Sequence, residues 1–270
     1  MENPKFFNTW KEEIENCKLD SFLDCFREIE INISNVCNLK CPFCPHSKGY
    51  HGKPEFMTVE IAEEIARQLH SFSFNGYICI GGHGEPSLNP HFEEIATILK
   101  DFHLQLLTNG KLLDKETWNR LDKIGQIKVS VHDWKNLDYY KEKFSDTKAW
   151  FRNHDAENPQ MNLFNRGGYL GKPVVQIERI CHLPFYWVFI DANGKYLQCS
   201  NDWERISESS LDIYNTPIKD FFLYSLEEVR KNMMKQGGRQ NLSFCKNCDI
   251  NGTLIGEKFI QKWKEQENAI

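Results

Sequence analysis

Residues 37–44 read CNLKCPFC, which gathers Cys37, Cys41 and Cys44 just after an apolar, strand-like run. Three thiolates at this spacing can hold a [4Fe–4S] cubane and leave one of its irons open to a substrate or cofactor. Pro42 and Pro45 disfavour a helix, so the thiols belong to a binding loop. The same spacing also admits a structural zinc, with His46 as the fourth ligand. A second group, Cys181, Cys199, Cys245 and Cys248, supplies four thiols, the last two in a C-x2-C step. Four cysteines saturate a cubane and suit electron transfer, or they build a zinc knuckle; spacing alone leaves both open.

Composition narrows the chemistry. The chain has 270 residues and ten cysteines, with Lys+Arg 33 against Asp+Glu 38 and a formal net charge of −5. That balance gives no sign of the basic surface used for non-specific nucleic-acid binding. The N-terminus has no basic segment followed by an apolar one, and no run approaches the roughly 18 apolar residues of a membrane span. The expectation is a soluble, cytoplasmic protein, in which cysteines serve metal or redox chemistry rather than structural disulfides. Cys79, in the apolar run YICI, and Cys17 and Cys25, in the N-terminal segment, read as packing thiols.

The elements that must position these groups alternate. REIEINIS (27–34) reads as a strand ending at the first cysteines, and 58–72 as a helix with Ile61, Ile65, Ala66 and Leu69 at helical spacing. GYICIGG (76–82) is a strand feeding a Gly-rich turn; helix, strand, helix and strand follow to residue 134. Strand, helix, strand in this order predicts parallel pairing with right-handed crossovers. Next comes a charged helix (136–144), then an irregular stretch, with 160–168 and 172–180 as the last strands of this unit. From Cys181 the character changes: FYWVFIDANGKYLQC reads as a β-hairpin turning at Asn193-Gly194 around a core of Phe185, Trp187 and Phe189. A helix over 225–236 follows, with Ser225 as its N-cap. The runs KEE and EKFIQKWKEQE read as solvated helix faces.

With the cysteine loop after the first strand and GGHGEP (81–86) after the second, the sequence resembles the radical S-adenosylmethionine (radical SAM) enzymes over roughly residues 29–250. The segments CHLPF, DANGKYLQCSNDW and CKNC are similar to the auxiliary-cluster domain called twitch, a shortened SPASM-like module, found on a subset of that family. The resemblance implies an α/β fold: a partial (β/α) barrel of parallel strands over 28–180, behind a helical lead at 1–27. A small hairpin-plus-helix metal-binding domain would occupy 181–250, and a C-terminal helix 251–270.

It also implies two [4Fe–4S] clusters, one on Cys37, Cys41 and Cys44 and one on Cys181, Cys199, Cys245 and Cys248, with S-adenosylmethionine (AdoMet) on the open iron. Gly81, Gly82, Gly84 and Glu85 would meet the methionine amino group, and Thr108, Asn109 and Ser130 sit where the family places further cofactor contacts, with ordinary turn and strand roles the other reading of these three. Arg166, in NRGG, lies where members that oxidise an aminocyclitol alcohol keep an arginine beside the substrate; holding the cofactor carboxylate or bracing the barrel rim is the other role open to it. The implied activity is oxidation of a small polar substrate of the sugar or cyclitol alcohol type. A 5′-deoxyadenosyl radical would take the hydrogen atom, the second cluster an electron, and a flavodoxin- or ferredoxin-like partner would supply the reducing electron. Peptide modification, a redox-neutral epimerisation and a non-catalytic zinc or iron–sulfur protein remain as other readings, and the sequence does not identify the substrate.

Overall fold

The computed structural model describes residues 12–50, 54–158, 164–171, 178–208, 210–250 and 255–267. Seven strands, β1 (Glu28–Asn32), β2 (Tyr77–Gly81), β3 (His103–Thr108), β4 (Gln126–Val131), β5 (Trp150–Asn153), β6 (Trp187–Ile190) and β7 (Tyr196–Leu197), form one sheet. Their order is β5-β4-β3-β2-β1-β6-β7. All neighbours pair in parallel except β6 and β7. Helices α1 (Val59–Ser71), α2 (Phe92–Ile98), α3 (Lys115–Leu121) and α4 (Leu137–Lys143) make the crossovers among β1 to β5.

Local chemistry sets these bounds. The Thr58 hydroxyl accepts the Ile61 N–H at the start of α1, and the Asp114 carboxylate accepts that of Thr117 at the start of α3, filling donors a helix cannot fill internally. In each strand alternate residues face opposite sides. Ile29, Ile31, Ile78, Ile80, Ile127 and Val129 are buried in the apolar core. Their neighbours Glu30, Ser130 and Arg152 face a cavity on the other side of the sheet. The inner wall is therefore polar and the outer wall greasy, an arrangement that carries a ligand site inside the sheet's curve.

Residues after Cys181 continue the same sheet: β6 lies parallel beside β1, with Ile29 opposite Val188. The hairpin turns at Gly194, which takes a φ of +80° and donates its N–H to the Asp191 carbonyl. Phe185, Trp187 and Phe189 are buried as expected of a hairpin core.

Four expectations need correcting. β5, inside the stretch read as irregular, is a strand; with only four residues and polar Arg152 on its inner face it lacks the apolar alternation that marks strands. Residues 159–163 and 172–177 of the two late strands lie outside the described residues, and Arg166–Gly168 is a 3-10 turn. Ser225 does not cap the next helix: it closes a π turn, and α5 (Glu227–Met234) begins after Leu226 without a side-chain cap. The last helix, α6 (Glu257–Glu267), is no solvated face, because Phe259, Ile260 and Trp263 are buried and the Trp263 indole donates to the Phe185 carbonyl.

One ion pair fastens the β6 end to the loop that follows the cysteines. Asp191, fully buried, accepts Arg205 Nε and Nη2 at 2.9 and 2.5 Å, and Asn32 Nδ2 at 2.7 Å. Arg205 also reaches the Tyr50 hydroxyl at 2.7 Å and Glu55 at 3.3 Å. Arg205→Met leaves a buried carboxylate without its cation and is expected to lower stability by on the order of 3 kcal/mol, measured by urea unfolding.

Candidate active site

The β1 strand ends at Asn32, and the chain then runs through the cysteine loop before α1. Cys44 N–H donates to the Cys41 carbonyl, and Pro45–Lys48 closes the loop as a 3-10 turn. Cys37, Cys41 and Cys44 line one cavity. Cys37 Sγ accepts the Leu39 N–H at 3.4 Å, and Cys41 Sγ lies 3.2 Å from His132 Nδ1. Burial pushes the Cys37 thiol up to about 12 and Cys41 to about 11, and raises Cys44. A cationic centre bound among them would favour their thiolate forms. His46, the alternative fourth zinc ligand, faces the same cavity, but its Nε2 is engaged with the His83 carbonyl at 2.7 Å.

The Gly-rich turn lies flush against the chain leading into Cys37. A Cβ on Gly84 would stand 2.3 Å from the Ser34 carbonyl oxygen and 2.4 Å from that of Val36, so only glycine lets the two segments touch. Gly82 has a φ of +104°. Gly81, Gly82, Gly84 and Glu85 all border the cavity. Glu85 Oε1 accepts the Ser87 N–H, the Ser87 hydroxyl and the Thr108 hydroxyl, while Oε2 accepts the Asn109 N–H at 2.7 Å. Burial raises its carboxyl and these donors pull it back. Its carboxylate therefore braces the ends of β2 and β3 against each other, with Oε2 the less occupied oxygen.

Thr108 and Asn109 also line the cavity, and Asn109 Nδ2 donates to Asn38 inside the cysteine loop at 2.7 Å. Ser130 accepts from Arg152 Nη2 at 3.1 Å. Arg166 enters from the far side: it has a φ of +53°, its Nη1 is 3.4 Å from Asn201 Oδ1, and its Nε is buried without a hydrogen-bond partner. Asn165 holds this turn in place by accepting from and donating to residues 247–249. The structure thus brings every first-group cysteine, the Gly-rich turn, Thr108, Asn109, Ser130 and Arg166 to one cavity.

Sequence reasoning missed several of its walls. Glu30 faces the cavity beside Arg166, its carboxyl hydrogen-bonded to Ser200 and raised by desolvation to about 7. The signal was available, since carboxylates at alternate positions of REIEINIS oppose the isoleucines. Arg152, His132, His154 and Trp203 also line it. Burial lowers both histidines, His132 to about 4, so they are neutral near pH 7.

The second cysteine group also assembles. Cys181, Cys199, Cys245 and Cys248 line a small, largely apolar cavity with Met233, Phe244 and Arg239. Gln198 Nε2 donates to Cys245 Sγ at 3.0 Å, and the Asn201 N–H to Cys199 Sγ at 3.5 Å. Arg239 is 2 % exposed, and its Nε and Nη2 have no hydrogen-bond partner. A buried guanidinium with idle donors beside four cysteines fits an anionic four-thiolate cluster, whose charge it would offset. Among the described residues no three His, Cys, Asp or Glu side chains converge on single-ion geometry.

Residues 31–157 match the family model described as the radical SAM superfamily. Over 236 residues the chain is 24% identical to the S-adenosyl-L-methionine-dependent 2-deoxy-scyllo-inosamine dehydrogenase of Niallia circulans, covering 83% of this chain and 93% of that protein. A probable GTP 3′,8-cyclase of Methanocaldococcus jannaschii is 35% identical over 136 residues, 48% of this chain and 44% of that one. Among solved structures, BtrN in complex with AdoMet and 2-DOIA superposes with a TM-score of 0.70 at 22% identity, over 86% of this chain and 96% of that one. Native anSMEcpe with bound AdoMet gives 0.57 at 15% identity, over 88% and 95%. With its cysteine loop and Gly-rich turn on the ends of β1 and β2, the chain carries a radical SAM domain over residues 31–157.

Proposed function

We propose that this enzyme oxidises a secondary alcohol of a small polar substrate, of the cyclitol or aminocyclitol type, and passes one electron to a second iron–sulfur cluster. One observation carries the reading: Ser200 lines the cavity of the first cysteine group and Cys199, its covalent neighbour, lines that of the second. A substrate between Ser200 and the cofactor would be one residue from a thiolate of the second site. The relative from Niallia circulans is named for such a dehydrogenation, which supports the substrate class.

Cys37, Cys41 and Cys44 would hold the first [4Fe–4S] cluster, and Cys181, Cys199, Cys245 and Cys248 the second. When bound, the first cluster and AdoMet would supply the radical chemistry for hydrogen-atom removal at the carbinol carbon. The chain's own residues do the rest. Gly81, Gly82 and Gly84 let the backbone approach the methionine end of AdoMet; Glu85, Thr108, Asn109 and Ser130, with Arg152, give the cofactor polar partners. Arg166 and Ser200 orient the hydroxyl. Glu30 takes its proton, a role suited to a carboxyl held near neutral pH. The alcohol thereby loses one hydrogen atom, one proton and one electron and becomes a ketone. The electron that starts the reaction would come from a flavodoxin- or ferredoxin-like partner.

The test is anaerobic incubation of the reconstituted enzyme with AdoMet, dithionite and a panel of cyclitols and aminocyclitols. 5′-Deoxyadenosine and ketone are expected in equal amounts. Since Glu30 must be ionised to accept a proton, the rate should fall as pH drops through about 7, and Glu30→Gln should lose that acid limb along with most of the activity. Radical formation with no ketone from any alcohol would remove this reading.

A further inference from the structure

Backbone N–H groups of the loop meet all three thiols of the first group: Leu39 to Cys37, Cys41 to its own sulfur, and His46 to Cys44. Cys41 Sγ is also met by the side chain of His132, 3.2 Å away and one residue past the end of β4. The His132 ring is held there by more than that contact. It lies nearly parallel to Phe43, with 15° between planes and centroids 6.0 Å apart, and His154 packs its ring edgewise at 5.4 Å. Phe43 lies between Cys41 and Cys44 in the loop, so one aromatic cluster fixes both the thiol and its partner.

A thiolate sulfur only accepts hydrogen bonds, so the ring nitrogen facing it, Nδ1, carries the proton and Nε2 is the free acceptor. Hydrogen bonds to the cysteine sulfurs are among the factors that set the potential of an iron–sulfur cluster, because they stabilise its more negative, reduced form. We infer that His132 is a positioning residue that raises the reduction potential of the cluster held by Cys37, Cys41 and Cys44, through Nδ1–H donated to Cys41. This rests on the reading of those cysteines as the cluster's ligands.

The test is a redox titration of the reconstituted full-length protein, following the electron paramagnetic resonance signal of the reduced cluster that changes when AdoMet is added. His132→Phe keeps a ring against Phe43 and removes the donor. At a fixed ambient potential its reduced-to-oxidised ratio should be about tenfold lower than wild type, equivalent to about 59 mV for a one-electron couple. His132→Leu should shift in the same direction, and His132→Gln, which restores an N–H, should recover part of the difference. A second measurement needs no variant: wild-type protein labelled with 15N-histidine should show a weak nitrogen coupling to the reduced cluster in pulsed resonance spectra. Variants that titrate with wild type, or a labelled wild type without the coupling, would overturn the inference while leaving the cluster assignment intact. A wild-type protein that develops no AdoMet-sensitive signal would overturn both.

Discussion

Replacing Cys37, Cys41 and Cys44 together by Ala is expected to remove about half of the bound iron and to abolish reductive cleavage of AdoMet. The three thiols share one cavity and no other cysteine lines it, so no neighbour takes over the site. The remaining iron should stay with the four cysteines around Arg239, and a resonance signal insensitive to AdoMet should survive. Iron and sulfide analysis after anaerobic purification, with chromatographic measurement of 5′-deoxyadenosine, reads both outcomes. Undiminished cleavage in this variant would contradict the assignment of the open-iron site to residues 37–44.

That loop was legible in the sequence because its chemistry is local: three thiols, two prolines and a preceding strand are contiguous, and the Gly-rich turn follows the next strand. The parallel order β1 to β4 was legible for the same reason, as apolar runs alternate with amphipathic helices. The remainder of the cavity depends on distant pairings. Glu30 belongs to the site because the isoleucines beside it take the core face of β1, a choice visible as alternation but unread as chemistry. Arg152 was hidden by a strand too short and too polar to announce itself. The approach of Ser200 to the Gly-rich turn, where its carbonyl meets His83 Nε2 at 2.8 Å, is fixed only when β6 pairs with β1. His132 had no motif to mark it, since its partner sulfur is 91 residues away.

The second large effect is expected at the other cysteine group. Cys245→Ala combined with Cys248→Ala should leave 5′-deoxyadenosine formation in place with dithionite and AdoMet, because the radical-forming site is lined by other residues. If these cysteines hold the proposed electron acceptor, substrate oxidation should fall by roughly tenfold or more. The control is near-ultraviolet circular dichroism, because a metal centre held by these cysteines beside Phe244 and Met233 would also contribute to folding. A folded variant that oxidises substrate at the normal rate, or wild-type protein with zinc at this site, would assign these cysteines a structural role.

The proposed radical oxidation at the cavity of the first cysteine group is tested most directly by the fate of one hydrogen atom. Wild-type enzyme is reconstituted anaerobically and given AdoMet, dithionite and 2-deoxy-scyllo-inosamine or a related aminocyclitol deuterated at its carbinol carbons; the nucleoside and the cyclitol product are then weighed by mass spectrometry. The account predicts 5′-deoxyadenosine carrying one deuterium for each ketone formed. Deuterium-free 5′-deoxyadenosine, or an epimerised cyclitol with no ketone, would contradict it.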